Sequence, residues 1–289
     1  MKKKILVALV ASLIVTACGT PQNTDVEDIP EFVNDGFELS SDVQNAIGDV
    51  QNAVGDIKDT LNDLNGALSE IKTPVPMYAD FTNGCPETFM ASGDWSNGSM
   101  FNVTWRKTSC TYADGKLQLT IDHDPKGTDI PYSGAELRSK DFYGYGLYEV
   151  SMKAIKNDGV VSSFFTYTGP SDNNPWDEID VEILGKDTTK VQFNYFTDGK
   201  GNHEKLVDLG FDASEDFHTY GFEWTESAIN WYVDGELVHT ATENLPSTES
   251  KIMMNAWCGT GVDSWLNAFD DSKLPITAEY QWISYTPAK

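Results

Sequence analysis

Residues 176–185 read WDEIDVEILG. Apolar and acidic positions alternate with period two, so the segment is predicted to be a strand. Successive side chains leave a strand on opposite faces. Glu178, Asp180 and Glu182 therefore share one surface, and Ile179, Val181 and Ile183 form the other. No Lys or Arg alternates with the acids to relieve their repulsion. The backbone advances about 13 Å from position 178 to 182, but twist and side-chain lean can draw the outer carboxyls toward roughly 5–5.5 Å, the separation at which two carboxylates cleave a glycosidic bond with retention. Asp180 between them would repel negative charge on either neighbour and raise the proton affinity of the acid that must start protonated. The plainer alternative is a solvated face of an acidic sheet.

Outward from this strand, short alternating runs continue. KLQLTID follows Asp114-Gly115, and GLYEVSMKA (146–154), VSSFFTYTG (161–169) and KVQFNYF (190–196) have the same period. NWYV and ELVHT flank Asp234-Gly235, a dipeptide that favours a two-residue hairpin turn. Residues 76–289 are thus predicted to be an all-β domain, a sandwich of two antiparallel sheets, one of which can curve into a cleft.

With 20 Lys and Arg against 45 Asp and Glu, the net charge is −25. That argues against nucleic acid as a partner, since such affinity rests on cations neutralising phosphates. Four scattered His residues and no paired Cys spacing argue against a zinc centre. Outside Cys18 the cysteines are Cys85, Cys110 and Cys258, so at most one intrachain pair can form. Cys85 with Cys110 is the expected pair, and three buried thiols are the alternative.

Lys2, Lys3 and Lys4 precede an apolar stretch from Ile5 to Val15, the layout of an export signal. Val15, Thr16, Ala17 and Cys18 resemble a lipobox, which makes residues 1–18 a lipoprotein signal and Cys18 the lipidated residue; the alternative is cleavage near Ala17 with Cys18 incidental. Several acyl chains would anchor firmly where one is marginal. The expected location is a membrane-anchored lipoprotein, at the outer membrane or cell surface. Residues 19–41 read as a polar tether. Over 42–73, Val43, Ile47, Val50, Val54, Ile57, Leu61, Leu64, Leu68 and Ile71 alternate in steps of four and three, and VQNAIGD is followed by VQNAVGD. That heptad pattern predicts a helical coiled-coil stalk that self-associates, with Ala46, Ala53 and Ala67 widening the seam toward a trimer. A lone helix lying on the domain is the alternative.

The motifs WDEIDVEILGKDTTKVQFN, FNVTWRK, GYGLYEVSMKA, DGVVSSFFTYTGP, LGFDASEDFHTYGFEW, WYVDG and KIMMNAWCGTGVD closely resemble the bacterial lichenases, endo-β-1,3-1,4-glucanases of glycoside hydrolase family 16. The resemblance runs over nearly all of residues 78–286. It implies a β-jelly-roll with a concave cleft and retaining hydrolysis of β-glucan without a required cofactor. Glu178 is then the nucleophile, Glu182 the general acid/base and Asp180 their support. It also implies substrate contacts by Trp95, Asn97, Glu136, Arg138, Phe165, Tyr167, Trp176, Gln192, Asn194, Asn255 and Trp257. For Glu136 and Arg138 a surface ion pair is an equal reading. The single residue between Asp180 and Glu182 groups the chain with lichenase-like and xyloglucan-active members rather than laminarinase-like ones, leaving xyloglucan or β-1,3-glucan as the next substrates and a non-catalytic glucan-binding lipoprotein as the rival class.

Three departures from the family pattern stand out. Val103 and Ala135 occupy the places of a disulfide many members carry. Gln281 stands where an acidic residue helps bind a structural calcium, so the resemblance allows that ion only with weakened affinity. Phe196 replaces a common tyrosine.

Overall fold

The computed structural model describes residues 40–70 and 75–288. The lipobox with Cys18, nearly all of the tether and the end of the heptad segment at 71–73 lie outside them. The chain divides into two units between residues 73 and 74. In the first, helix α1 spans Ser41–Glu70. Four of its seam residues, Val50, Val54, Ile57 and Leu61, are 39–60 % exposed. Among the described residues no helix is long and apolar enough to cross a membrane.

The second unit is built from sixteen strands. Their ranges are β1 Met77–Asp80, β2 Phe89–Ala91, β3 Val103–Trp105, β4 Cys110–Ala113, β5 Lys116–His123 and β6 Tyr132–Ser139. Next come β7 Gly146–Lys153, β8 Val160–Thr168, β9 Asp177–Leu184, β10 Lys190–Phe196 and β11 Lys205–Asp208. The rest are β12 His218–Trp224, β13 Ile229–Val233, β14 Glu236–Ala241, β15 Lys251–Cys258 and β16 Ile276–Pro287, with a short helix α2 at Asp263–Leu266. The hydrogen-bonded order is β11-β10-β9-β8-β15-β6-β5-β16-β7-β12-β13-β14. A short β5–β6 pairing through Asp122 and His123 joins its two halves, which fold face to face as a nearly closed jelly-roll sandwich.

The fold follows from alternation. Each strand sends every second side chain inward, where the faces meet in an aromatic core: Phe164 lies 5.7 Å from Phe222 and Phe193 5.5 Å from Trp231, ring centre to ring centre. Burial of such rings is the main favourable term in folding. Two side chains reach across this core to hydrogen-bond the opposite sheet. Trp231 Nε1 donates to the Asp180 carbonyl at 3.2 Å, and the Tyr280 hydroxyl donates to the Ser163 carbonyl at 2.9 Å. Both tie one sheet to the backbone of the other, beneath the acidic strand. The expected hairpin is present: Asp234 and Gly235 have φ of 49° and 82°, the left-handed pair that a two-residue turn requires.

Cys85, Cys110 and Cys258 are all free thiols, which corrects the expected Cys85–Cys110 bridge. Cys110 is buried with its Sγ turned to the Glu136 carbonyl, whereas exposed Cys85 turns to the carbonyls of Pro86 and Phe89. Arg106 and Asp124 form a buried two-pronged ion pair at 2.9 and 2.7 Å. The guanidinium holds the Asp124 carboxyl far below the usual carboxylate range. Arg106 also grips Asp94 at 2.6 Å, fixing the loop that carries Trp95.

Candidate active site

Strand β9 pairs with β8 and β10 without a register shift, so its three acids stand on three consecutive rungs of one sheet face. The first rung runs Gln192, Glu182, Ser163, Asn255 and Glu136 across β10, β9, β8, β15 and β6. The second runs Asn194, Asp180, Phe165, Met253 and Arg138. The third runs Phe196, Glu178, Tyr167 and Lys251. Residues from segments far apart in sequence thus become neighbours, because register fixes which side chains share a face.

Each outer acid is half-buried and held by one donor. Trp176 Nε1 donates to Glu178 Oε2 at 2.6 Å, and Gln192 Nε2 donates to Glu182 Oε2 at 2.7 Å. Loss of water is the largest influence on both and pushes each carboxyl up to about 7; the two donors pull the other way. Asp180 is more deeply buried, and desolvation together with the charges of Glu178 and Glu182 raises it well above the ordinary aspartate range. That direction favours the protonated form, whose hydroxyl can serve as a donor to the Glu178 carboxyl. The expected like-charge coupling is present, and it acts most strongly on the middle acid, which sits deepest between two like groups.

The aromatic residues divide by exposure. Trp176 and Trp95 are each 39 % exposed. Trp176 stacks on Phe196 at 4.8 Å, and Trp95 meets Trp105 edge-on at 6.2 Å. Phe165 is nearly covered and Tyr167 is half-buried. A side chain at Gly169 would strike the Tyr167 phenol, its Cβ falling 2.3 Å from the hydroxyl oxygen, so glycine there keeps the ring in place. Trp257 is 3 % exposed, covered by Phe101 at 4.2 Å and flanked by Trp265 at 6.1 Å. It offers no open ring face. The polar residues are mostly engaged: Asn97 Oδ1 accepts from Trp105 Nε1 at 2.6 Å, Asn194 Oδ1 from the His203 backbone N–H at 3.3 Å, and Asn255 Oδ1 from Ser163 Oγ at 2.6 Å.

Glu136 is buried, which corrects the surface ion-pair reading. Its Oε1 accepts from Ser92 Oγ at 2.6 Å; desolvation raises its carboxyl, and Arg138 acts on it only through its charge. Several residues here had no place in the sequence reading. Ser163 was detectable, since it alternates with Phe165 and Tyr167 on β8. Ser92 and Glu204 lie in loops and Trp265 in the one-turn helix α2, where no period marks them. Trp265 Nε1 donates to Gln192 Oε1 at 3.1 Å, and the charge of Glu204 bears on Asp180 and Glu182. Asp177, facing away from the acids, accepts from the backbone N–H groups of Asp198, Ser247 and Thr248, each at 3.0 Å, and so pins the start of β9.

Gln281 Oε1 already accepts from Ser151 Oγ at 2.9 Å, and among the described residues no three His, Cys, Asp or Glu cluster as metal ligands. The arrangement suits acid/base and nucleophilic work by carboxyls: two ionisable groups poised near neutrality, separated by one that stays neutral.

Comparison with known proteins gives the same direction. The "Xylanase/beta-glucanase" of Ruminococcus flavefaciens is 56% identical over 220 residues, 74% of this chain and 27% of that protein. The "Beta-glucanase" of Acetivibrio thermocellus is 55% identical over 212 residues, 73% of this chain and 63% of that one. The chain thus spans less than two thirds of either relative. The crystal structure of a prokaryotic β-1,3-1,4-glucanase (lichenase) derived from a mouse hindgut metagenome superposes with a TM-score of 0.72 at 50% identity, covering 74% of this chain and 100% of that one. Residues 97–283 match the family described as glycosyl hydrolases family 16, and to that family the chain belongs.

Proposed function

We propose that the sandwich is a retaining endo-hydrolase of mixed-linkage β-1,3-1,4-glucan, with Glu178 as nucleophile, Glu182 as general acid/base and Asp180 holding a proton between them. The observation that carries this reading is the three-rung ladder of acids in which each outer carboxyl has its own N–H donor. In the first step the Glu178 carboxylate bonds to the anomeric carbon while Glu182 gives its proton to the departing glycosidic oxygen. In the second, Glu182 takes a proton from the water whose oxygen displaces Glu178. Neutral Asp180 donates a hydrogen bond to Glu178, which keeps charge on the attacking group without adding a third anion.

Exposed Trp95 and Trp176 supply ring faces for pyranose stacking, and Tyr167, Arg138, Asn194 and Asn255 line the floor between them. The regular β9 strand and the likeness to a solved lichenase favour the mixed-linkage substrate. Reducing-end release on mixed-linkage β-glucan, laminarin and xyloglucan tests this. Activity on the first alone is expected. Activity on another polymer overturns the specificity, and glucan binding without hydrolysis overturns the chemistry.

The same reading extends to the N-terminal unit. Lipidation at Cys18 would hold the enzyme at a membrane, and the exposed α1 seam suits packing on copies of itself, a trimer being the expected form. A Cys18→Ser chain should move from the membrane fraction to the soluble one. A lipid-free chain from residue 19 should sediment as an oligomer, and Val54→Asp with Leu61→Asp should reduce it to monomer. A parent already monomeric at micromolar concentration would end the stalk proposal.

A further inference from the structure

We propose that Trp265 is a positioning residue for the acid/base carboxyl: acting through Gln192, its indole N–H decides which oxygen of Glu182 carries the proton that goes to the leaving group. The inference rests on the roles proposed above for Glu178 and Glu182. An indole nitrogen only donates, and a side-chain amide has one accepting and one donating end. Because Trp265 Nε1 lies 3.1 Å from Gln192 Oε1, the opposite end of the amide, Nε2, is the end turned to Glu182. The reversed amide would set donor against donor at Trp265 and acceptor against carboxylate oxygen at Glu182.

Gln192 Nε2 occupies Oε2 of Glu182 at 2.7 Å, so when Glu182 is protonated its hydrogen resides on Oε1. The proton on Oε1 then passes to the glycosidic oxygen, whose bond to carbon breaks with the electron pair remaining on that oxygen as Glu178 bonds to the anomeric carbon. After the step both oxygens of Glu182 carry negative charge, and the Gln192 donor stabilises it until the incoming water returns a proton.

The tryptophan is itself well fixed. It sits on α2, whose neighbour Leu266 is fully buried, and the Gly159 backbone N–H donates to the Leu266 carbonyl at 2.8 Å. The Trp265 ring flanks Trp257 at 6.1 Å. The charged groups that act on Glu182 are Glu178 on its own strand and Glu204 beyond β10, with titratable Asp180 between the two strand acids, whereas β8 presents the neutral Ser163. Among the described residues the Gln192 N–H is the contact that favours the ionised form of Glu182.

Trp265→Phe in the full chain tests this, since it removes the donor while leaving a smaller aromatic ring against Trp257. On mixed-linkage glucan kcat is expected to fall about 10-fold with KM nearly unchanged, a share of the roughly 10²- to 10⁴-fold that a positioned acid supplies. The basic limb of kcat/KM should move to higher pH, because a freed amide can turn its carbonyl to Glu182 and hold the proton on the wrong oxygen. On an aryl glycoside whose phenol leaves without protonation, the loss should shrink to about twofold. Gln192→Met, which leaves the Trp265–Trp257 contact alone, should move the limb in the same direction, and adding Trp265→Phe to it should change nothing more. Equal losses on both substrates with an unmoved limb, or an unmoved limb in Gln192→Met, would overturn the proposal. Failure of the underlying reading is separate: it would show as full activity in Glu178→Ala, whatever happens at Trp265.

Discussion

Replacing Glu178 by alanine is expected to lower kcat/KM on β-glucan by at least roughly 10⁴-fold, as the loss of a covalent nucleophile does in other hydrolases. Its removal takes away the group that bonds to the anomeric carbon, and neither Asp180 nor Glu182 can replace it from a neighbouring rung. Stability should not fall with activity. Glu178 and Glu182 place like groups on either side of Asp180 in a desolvated face, and deleting one member relieves their mutual repulsion. The melting temperature is therefore expected to stay level or rise. Loss of activity with an unchanged or higher melting temperature identifies the chemistry; loss with early unfolding would identify a structural part instead. The cavity also gives a stereochemical readout. A small anion such as azide entering it attacks the same face of the sugar as Glu178 did and stays attached, giving an α-glycosyl azide. A β-linked product would mean that Glu178 is not the nucleophile.

Much of this site was legible in the sequence because alternation is a local property. Period two in residues 176–185 is enough to put three acids on one face, and KVQFNYF gives β10 its bounds, Lys190–Phe196. The Asp234-Gly235 turn was equally plain, since few dipeptides tolerate two left-handed residues in succession. What the sequence withheld is non-local. That Gln192, Ser163, Asn255 and Glu136 form one rung with Glu182 depends on pairing between segments separated by many residues, and a slip of one position would turn each of them to the other face.

Chemistry that depends on depth was also hidden. Asp180 and its neighbours are the same kind of group at the same spacing, yet the middle one sits deepest and its carboxyl is pushed up the most strongly by burial and by its neighbours' charges, which no pattern of letters reveals. The indoles show the same division. Trp176 was expected as a stacking face, and its N–H on Glu178 came to light only with the rotamer. Trp257 shares the sheet face of Asn255, and only the packing shows that Phe101 covers it and Trp265 flanks it.

Glu182→Gln should separate the acid from the nucleophile. The change is nearly isosteric and leaves an acceptor for the Gln192 N–H, but it removes the proton that the leaving group needs. On β-glucan, whose departing sugar alkoxide is a poor leaving group, kcat/KM is expected to fall roughly 10²- to 10⁴-fold. On an aryl glycoside with an acidic phenol the first step should proceed almost as in the parent, because that leaving group departs unprotonated. The glycosyl-enzyme then waits, since no base activates the incoming water, and a burst of phenol equal to the enzyme present should precede a slow steady state. The pH profile supplies an independent check. Burial raises Glu182 to about 7, so the parent keeps its acid protonated below that value and loses activity as pH rises through it. In Glu182→Gln that basic limb should disappear while the acidic limb, governed by ionisation of Glu178, remains. The pair titrates as a coupled system, so the surviving limb is also expected to move downward once the neighbouring carboxylate is gone. A variant that keeps the basic limb, or loses equally on both substrates, would assign the acid elsewhere.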